Sequence, residues 1–376
     1  MSEIYAGLMS GTSLDGVDGV LVDFASSAAR VLAYTSAPLP QALRQELLQL
    51  NTKGSNELHR AALAANALVR VYANVIHELL ASCKLSASQV HAIGAHGQTV
   101  RHRPQLFDGT GYTLQLNQPA LLAELTGIDV VADFRSRDVA AGGQGAPLVP
   151  PFHQAFFGTR NGEATQQTGV LNIGGISNIT LLHTAALGDV IGFDCGPGNA
   201  LMDAWCMAHT GAAFDNQGLW AAGGTVHEGL LQALLNEPFF DTPPPKSTGR
   251  DLFNAAWLQD KLKPFNPVAA RDVQATLTEL TARSCADCLL KHAPTTRRLI
   301  VCGGGALNSH LMRRLQALLS GCTVASSDAF GLPPLQVEAT AFAWLARQCV
   351  NRQTASLKSV TGAQGARILG AIYAAC

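Results

Sequence analysis

The sequence predicts an α/β protein made of two related domains, for three reasons. The chain has 376 residues, which corresponds to roughly two domains of about 150 residues each. Hydrophobic residues make up 47% of it and charged residues 14%, so we expect a large apolar core and little disorder. Strands, Gly-rich loops and long helices also follow one another in the same order in both halves, which indicates duplication of one unit.

The first half begins with a strand, a polar turn and a second strand, all within residues 4–24. Residues 55–82 carry apolar residues at helical spacing and predict a long helix. Residues 90–97 predict a short strand that runs into a glycine turn. The apolar stripe expected to face the core on the long helix consists of Leu58, Leu63, Leu68, Val71, Val75, Ile76 and Leu79.

The second half repeats this order. Residues 169–182 predict strand, Gly-rich loop and strand, residues 272–292 a long helix, and residues 298–305 a strand that ends in glycines before another helix. A duplicated α/β unit would place the two Gly-rich hairpins on opposite sides of a shared cleft, and clefts between domains commonly bind small molecules.

The join between the domains is expected in the Gly- and Pro-rich stretch 140–150. The first domain would cover residues 1–140, with or without part of the C-terminal helix, and the second residues 141–376. The irregular segment 241–250 reads DTPPPKSTGR, and its last five residues are polar enough to reach a site.

Charge and composition exclude several functional classes. The formal net charge is −1 and the pI about 6.8, without a basic tail, so nothing favours a nucleic-acid or membrane partner. The N-terminus lacks the pattern of a signal peptide, and no apolar run reaches the roughly 18 residues of a membrane span; we therefore expect a cytoplasmic protein. The CxxC of Cys285 and Cys288 has no second metal-binding pair, which favours reduced thiols over zinc or disulfides.

The turn after the first strand has the composition of a phosphate-binding loop. Small residues let backbone N–H groups approach an anion, and hydroxyl groups add donors. An ordinary hairpin turn is the alternative, but the second Gly-rich hairpin, at Gly174 and Gly175, would supply donors from the other side. The carboxylates of Asp15 and Asp18 could hold Mg²⁺, directly or through a water. The loop consists of Gly11, Thr12, Ser13, Leu14, Asp15, Gly16, Val17 and Asp18, and it lacks the Gly-Lys-Ser/Thr of a Walker A motif.

Asp194 is the candidate general base. It lies in the segment IGFDCGPGN (191–199), where a predicted strand meets glycines just before a helix. The alternative is a turn or capping role, but Asn199 directly precedes the helix and fits the cap better. Asp194 is therefore expected to be available for chemistry.

Three consecutive glycines, Gly303, Gly304 and Gly305, would let an adenine or ribose lie close to the backbone. A Rossmann fingerprint would need a glycine at Asn308, so that motif fails. A tight strand-to-helix turn is the alternative, and both descriptions can hold together.

Polar residues near the ends of other strands suit a sugar. His96, Gln98, Asp133 and Arg137 could bind hydroxyl groups or a carboxylate. The histidines lack metal-ligand spacing, so no metal is assigned to them. The motifs G-x-S-x-G and S-x-x-K of serine hydrolases do not occur.

The segments GLMSGTSLDGVD, AHGQT, ADFRSRDVAAGGQGAPLVP, LNIGGISN, GFDCGPGN, PKSTGR and VCGGGALN together resemble the anhydro-N-acetylmuramic acid kinases. The resemblance runs in order from about residue 4 to residue 375 and is weaker at 159–169, 184–190 and 351–358. It implies two actin-like, ribonuclease H-like domains with a ligand cleft between them.

The resemblance also implies a function. Enzymes of this family use ATP and Mg²⁺ to open 1,6-anhydro-N-acetylmuramic acid with water and to phosphorylate O6, in peptidoglycan recycling. Asp194 matches the base that activates water, residues 11–18 match the ATP-binding loop, and Glu338 matches an acidic residue near the sugar. The family also implies a homodimer. The alternatives are a kinase for another small sugar or acid, or a nucleotide-gated actin-like binding protein.

Overall fold

The computed structural model describes residues 2–11, 14, 16–26, 29–158, 167–182, 190–249, 251–265 and 267–376. The chain divides into two compact units. The first consists of Met1–Phe156 and Gln336–Cys376, and the second of Phe157–Leu335.

Groups of strands alternate with helices or groups of helices along the chain. The strands are β1 (Ile4–Met9), β2 (Gly16–Asp23), β3 (Arg30–Pro38), β4 (Val90–Ala95), β5 (Gln98–Pro104), β6 (Gly111–Leu116), β7 (Val130–Ala132), β8 (Thr168–Ile173), β9 (Ile176–Leu182), β10 (Ile191–Pro197), β11 (Arg298–Cys302), β12 (Thr323–Ser326) and β13 (Ala371–Tyr373). The helices are α1 (Gln41–Leu50), α2 (Glu57–Cys83), α3 (Pro119–Thr126), α4 (Ser136–Ala140), α5 (Pro150–Phe157), α6 (Asn199–Thr210), α7 (Leu219–Ala222), α8 (Glu228–Leu235), α9 (Ala255–Leu262), α10 (Ala270–His292), α11 (Ser309–Leu318), α12 (Val337–Val350) and α13 (Lys358–Thr361).

The first unit is built on a six-stranded sheet in the order β13-β7-β4-β1-β2-β3. Neighbours among β1, β2 and β3 are antiparallel, whereas β4 runs parallel to β1 and β7 parallel to β4. Alternate residues of the strands face opposite sides. Leu8 and Leu21 pack with α1, α2 and α3, while Tyr5 and Val20 pack with α12. This unit therefore has a helix layer on each face of its sheet.

The second unit repeats the arrangement with the order β10-β9-β8-β11-β12. Here β8, β9 and β10 are antiparallel neighbours, and β11 and β12 continue in parallel from β8. When the strands of each large sheet are numbered in chain order, the second sheet has the order 3-2-1-4-5, and the first has the same order with β13 added at the edge beyond β7. The order 3-2-1-4-5 is that of the ribonuclease H-like fold. The predicted duplication of an α/β unit is confirmed.

Helix α12 lies in the first compact unit, an arrangement that the expected domains 1–140 and 141–376 left open for part of the C-terminal helix. The helix packs on β1 and β4 so closely that a Cβ on Gly7 would overlap the carbonyl oxygen of Ala339, and one on Gly94 that of Phe342. Such an approach requires glycine. The contact assigns 336–376 to the first unit.

The predicted helix at 55–82 is confirmed by α2, but part of its expected core stripe is wrong. Leu58 and Leu63 are 90% and 56% exposed, whereas Ala64 and Ala65 are buried. Leu63 therefore lies on the outer face of the helix, and Leu58 lies in its first turn. The buried stripe includes Leu68, Ile76 and Leu79. No cysteine in the described part of the chain forms a disulfide bond. In the described part of the chain, no helix has the length and hydropathy needed to cross a membrane.

Candidate active site

The turn between β1 and β2 in the first unit is anchored by a buried leucine. The carbonyl oxygen of Gly11 accepts a hydrogen bond from the N–H of Leu14 at 3.2 Å and another from Nε2 of Gln98 at 3.2 Å. Leu14 has a φ of 57°. It is only 1% exposed, so its side chain packs into the core and anchors the turn there. Thr12, Ser13 and Asp15, which the sequence assigns to phosphate and metal binding, lie outside the described residues.

The rest of this loop enters β2. Val17 is fully buried, and Gly16 pairs with Pro38 of β3. The carboxylate of Asp18 accepts a hydrogen bond from the hydroxyl of Tyr34 at 2.6 Å. This contact holds one oxygen of a carboxylate that the sequence suggests as a metal ligand.

His96 is a buried residue, only 4% exposed. Its Nε2 accepts hydrogen bonds from Nε of Arg135 at 3.1 Å and from a terminal nitrogen of the same guanidinium at 2.9 Å. Burial first, and then the charge of Arg135, hold the pKa of His96 well below its usual value. The imidazole is therefore neutral, and it acts as an acceptor at Nε2.

Arg135 is the centre of this cluster, although the sequence had favoured Arg137. Its guanidinium also donates to the carbonyl oxygen of Gly145 at 2.8 Å. Burial lowers the pKa of Arg135 to about 10, against the opposing charges of Glu338 and Asp138. The side chain thus stays protonated at neutral pH. The sequence signal was the polar run 133–138, but spacing alone could not distinguish its two arginines.

The other predicted sugar-binding residues of this unit differ in exposure. Gln98 is 1% exposed, and its Nε2 donates to the carbonyl oxygen of Gly11 in the turn between β1 and β2. Asp133 and Arg137 are exposed, and the hydroxyl of Ser136 donates to Asp133 at 2.5 Å. Glu338 is half-buried in the first turn of α12. The structure thus brings Glu338 electrostatically close to Arg135 and leaves Asp133 and Arg137 on the surface of the unit.

In the second unit, Asp194 lies inside β10 and not at its end. The pairing of β10 with β9 shifts register between Asp194 and Gly196, and this bulge accommodates the glycine at a φ of 145°. β-bulges re-aim side chains beside active sites. Burial is the main cause that raises the pKa of Asp194, to about 6, while a backbone hydrogen bond from Thr248 and the charge of Lys246 oppose it.

Two glycine loops of the second unit meet beside β10. The carbonyl oxygen of Gly174 accepts from the N–H of Asn199 at 2.8 Å, and that of Gly175 accepts from the N–H of Gly198 at 3.0 Å. A Cβ on Gly198 would overlap the carbonyl oxygen of Gly174. The backbone of the β8–β9 turn thus lies directly against the start of α6.

The third glycine segment, Gly303–Gly305, lies against the end of β8. Gly303 has a φ of 76°, and a Cβ there would overlap the side chain of Asn172. Gly305 packs its bare backbone on the side chain of Ile173. Gly304 between them is exposed, and its position would let a flat ligand approach the main chain.

The two asparagines considered at sequence level have different roles. Asn308 caps α11, because its side chain accepts from the N–H of Leu311 at 3.0 Å. The expected cap at Asn199 is wrong: this residue is the first of α6, and its Nδ2 donates to the carbonyl oxygen of Ile173 at 3.0 Å. Asn199 instead ties the helix start to the end of β8.

No group of three or more His, Cys, Asp or Glu residues within the described part of the chain is arranged to hold an ion. Mg²⁺ in phosphate-transferring sites commonly uses only one or two carboxylates, with waters and phosphate oxygens as its other ligands. Asp18 fits such a partial donor set.

Comparison with known proteins gives matches along the whole chain. The family model described as anhydro-N-acetylmuramic acid kinase matches residues 3–375. A protein of that name from Albidiferax ferrireducens is 64% identical, with 100% of both chains covered. Its namesake from Variovorax paradoxus is 64% identical over 99% of both chains. Another, from Cupriavidus pinatubonensis, is 57% identical over 98% of both.

Proposed function

The chain belongs to the anhydro-N-acetylmuramic acid kinase family, and we propose that it couples hydrolytic opening of 1,6-anhydro-N-acetylmuramic acid to phosphorylation of O6 by ATP. The product would be N-acetylmuramic acid 6-phosphate. The observation that carries the hydrolytic half is the carboxylate of Asp194, which is half-buried and accepts a hydrogen bond from the N–H of Thr248, and whose pKa burial raises to about 6. A base with a pKa near the working pH is efficient in proton transfer.

The proposed reaction accounts for each bond formed or broken, and for the proton, in one series of steps. Water attacks the anomeric carbon and gives a proton to Asp194, and the bond from that carbon to the bridging oxygen breaks. The electron pair stays on this oxygen, O6, which forms a bond to the γ-phosphorus of ATP while the bond to the β-phosphate oxygen breaks and ADP leaves. Asp194 then releases its proton to solvent.

We assign the nucleotide to the Gly-rich segments. Phosphoryl transfer needs mainly positioning and charge neutralisation. Residues 11–18 would hold phosphate groups through backbone N–H groups, with Thr12 and Ser13 as further donors. Gly174 and Gly175 would add donors, and Gly303, Gly304 and Gly305 would accept the adenosine. The support is the shape of the backbone, including exposed Gly304 and the tight contact of Gly303 with Asn172.

Mg²⁺ is proposed as the metal, held by Asp15 or Asp18, directly or through water. Such an ion neutralises the phosphate charge that accumulates during transfer. The support from the described residues is Asp18, whose carboxylate is oriented by Tyr34. Orientation of a metal-binding carboxylate by a second hydrogen bond is a common feature of metal sites.

We assign the sugar to the polar residues of the first unit. Glu338, Gln98, Asp133 and Arg137 would contact it. His96 is buried and occupied at Nε2 by Arg135, so it would act by positioning that arginine. The reaction would take place in the cytoplasm, where ATP is available, and would serve cell-wall recycling because the sugar is a component of peptidoglycan. A homodimer is the proposed oligomeric state.

The test is ATP consumption by the purified chain with and without 1,6-anhydro-N-acetylmuramic acid, in water enriched in ¹⁸O. Sugar-dependent ADP release, with a product that gains one phosphate and one labelled water, would support the coupled reaction. A gain of phosphate without water would indicate an ordinary kinase and remove the base role of Asp194. Slow ATP hydrolysis that ignores the sugar would favour a nucleotide-gated binding protein, and turnover with a different sugar or acid would redefine the substrate.

A further inference from the structure

Backbone groups of the segment Lys246–Thr248 make two hydrogen bonds with Asp194. The N–H of Asp194 donates to the carbonyl oxygen of Lys246 at 3.1 Å. Two residues later, the N–H of Thr248 donates to Oδ2 of Asp194 at 2.9 Å. One hydrogen bond therefore fixes the main chain of Asp194 and the next fixes its carboxylate.

The side chain of Lys246 is held in place as firmly as the backbone. It is only 9% exposed, and its ammonium donates to the carbonyl oxygens of Phe239 at 3.2 Å and of Phe240 at 3.3 Å. The same ammonium lies 4.5 Å from the centre of the Phe239 ring. Both phenylalanine rings pack on buried Phe253. The ammonium is therefore a fixed positive charge.

We propose that Lys246 and Thr248 are positioning residues for the carboxylate of Asp194. This inference rests on the proposed function, in which that carboxylate is the base. Thr248 occupies Oδ2, whereas Oδ1 accepts no hydrogen bond from any described residue. One oxygen is thus anchored, and the other remains for the attacking water.

The fixed charge also has an electrostatic effect. A nearby cation favours an ionised carboxylate, whereas burial favours the protonated form. The hydrogen bond from Thr248 and the charge of Lys246 both oppose the burial of Asp194. Of the neighbouring elements, β9 presents uncharged Asn178, and α10 presents Cys288 and His292 to Lys246. Among the described residues, Lys246 is therefore the charged group whose removal should change the pKa of Asp194.

The first experiment measures the pKa of Asp194 by ¹³C NMR on protein labelled at the aspartate carboxyl groups, with the signal assigned from Asp194→Asn. Lys246→Met removes the charge, and we expect the pKa to rise by about half a unit or more. Lys246→Gln removes the charge but keeps a donor for the two carbonyl groups, so it serves if the methionine variant does not fold. Lys246→Arg keeps the charge and should restore the wild-type value.

Lys261 supplies a matched control. Its ammonium also lies over an aromatic ring, that of Trp257 at 5.6 Å, and pairs with Glu237 at 3.4 Å. Lys261→Met should leave the pKa of Asp194 unchanged. For the backbone contact, Thr248→Pro removes the N–H donor and should raise the pKa, whereas Thr248→Ala keeps the donor and should not.

The second readout is the dependence of kcat on pH with 1,6-anhydro-N-acetylmuramic acid. The acid limb should move to higher pH in Lys246→Gln and Thr248→Pro, by the same amount as the pKa measured by NMR. An unchanged pKa in both folded variants would overturn the inference. If the pKa moves but wild-type protein does not turn over the sugar, the proposed function fails while the positioning of Asp194 is upheld. An acid limb that stays in place although the pKa moves would refute the link between this positioning and the reaction.

Discussion

Arg135 donates two hydrogen bonds to a single nitrogen of His96, at 3.1 and 2.9 Å. The arrangement assigns the imidazole proton to Nδ1, because Nε2 has to accept. It also connects β4, which leads into His96, with the turn after β7, which carries Arg135. Asp138, fully buried nearby, accepts from the N–H of Gly145 and from the hydroxyl of Thr361, both at 2.8 Å.

Arg135→Lys should therefore destabilise the protein. A lysine cannot reach both His96 and the carbonyl oxygen of Gly145, and a buried polar group left unpaired costs about 2 kcal/mol. Urea denaturation measures the change in unfolding free energy. Arg347→Lys is the control, since Arg347 also makes two hydrogen bonds to one residue, Glu3, in a more exposed position. There we expect a loss below about 1 kcal/mol. Equal losses would contradict a special role of the buried pair.

Asp194→Asn should reduce turnover by at least about a hundredfold, the usual effect of removing a general base. The amide oxygen can still accept from Thr248, so we expect the fold and the KM for the sugar to change little. Steady-state kinetics with the sugar measure the effect. The exposed Asp260→Asn, which breaks only the surface pair with Lys263, should retain full activity. Activity near that of wild type in Asp194→Asn would remove this residue from the mechanism.

The same substitution should stabilise the protein at alkaline pH. The pKa of Asp194 rises from 3.8 in the unfolded chain to about 6 in the folded one, so the native state binds the proton more tightly. The free energy of unfolding of the wild-type protein thus falls as the pH rises through the range between these two pKa values. Asp194→Asn does not lose stability in this way, because asparagine does not titrate. We expect an advantage for Asp194→Asn that grows by about 2 kcal/mol between about pH 4.5 and about pH 8. Thermal unfolding at both values measures it; a constant difference would exclude the raised pKa.

Gly303→Ala and Gly331→Ala compare two glycines of positive φ, 76° and 86°. Gly331, with ψ 11°, is left-handed, and an alanine there costs about 1 kcal/mol, whereas Gly303, with ψ −179°, lies in a region that is essentially restricted to glycine. A Cβ at Gly331 meets nothing within 4 Å, whereas one at Gly303 overlaps Asn172 and approaches the carbonyl oxygen of Ile173 at 2.7 Å. Gly303→Ala should therefore lower the free energy of unfolding by about 2 kcal/mol more than Gly331→Ala does. Chemical denaturation of both variants would show whether the excess exists.

Gly304→Ala tests the nucleotide assignment separately from stability. A Cβ there meets only Nδ2 of Asn199, at 3.4 Å, so the fold should tolerate it within about 1 kcal/mol. The methyl group would nevertheless stand where the adenosine is proposed to lie, and we expect the KM for ATP to rise roughly tenfold. The KM for the sugar should stay constant. An unaltered KM for ATP in a folded variant would place the nucleotide elsewhere.

Local patterns in the sequence were sufficient to predict the repeated elements. The two hairpins, the long helices α2 and α10 and the glycine turns follow from the spacing of apolar residues and from turn chemistry, which act over a few residues. The prediction for Leu63 was wrong because its spacing places it on the outer face of α2, beside the buried Ala64 and Ala65.

Local sequence patterns could not predict the contacts that define the site. Thr248 is 54 positions from the carboxylate it holds, and Arg135 is 39 positions from His96. Both pairs are made by the tertiary fold, and a backbone N–H donor has no signature in the sequence. The choice of Arg137 over Arg135 failed to anticipate the buried cluster for the same reason: only packing decides which of two nearby arginines turns inward.

The place of α12 determines the order in which the two units can be completed during synthesis. Strands β1 and β4 leave the ribosome early, but the helix that covers Tyr5, Val20 and Val131 is translated only after the second unit. Until then, one apolar face of the first sheet has no cover, and such surfaces are prone to aggregation. The unit that is begun first is therefore finished last, and a nascent chain arrested before Gln336 would expose that face.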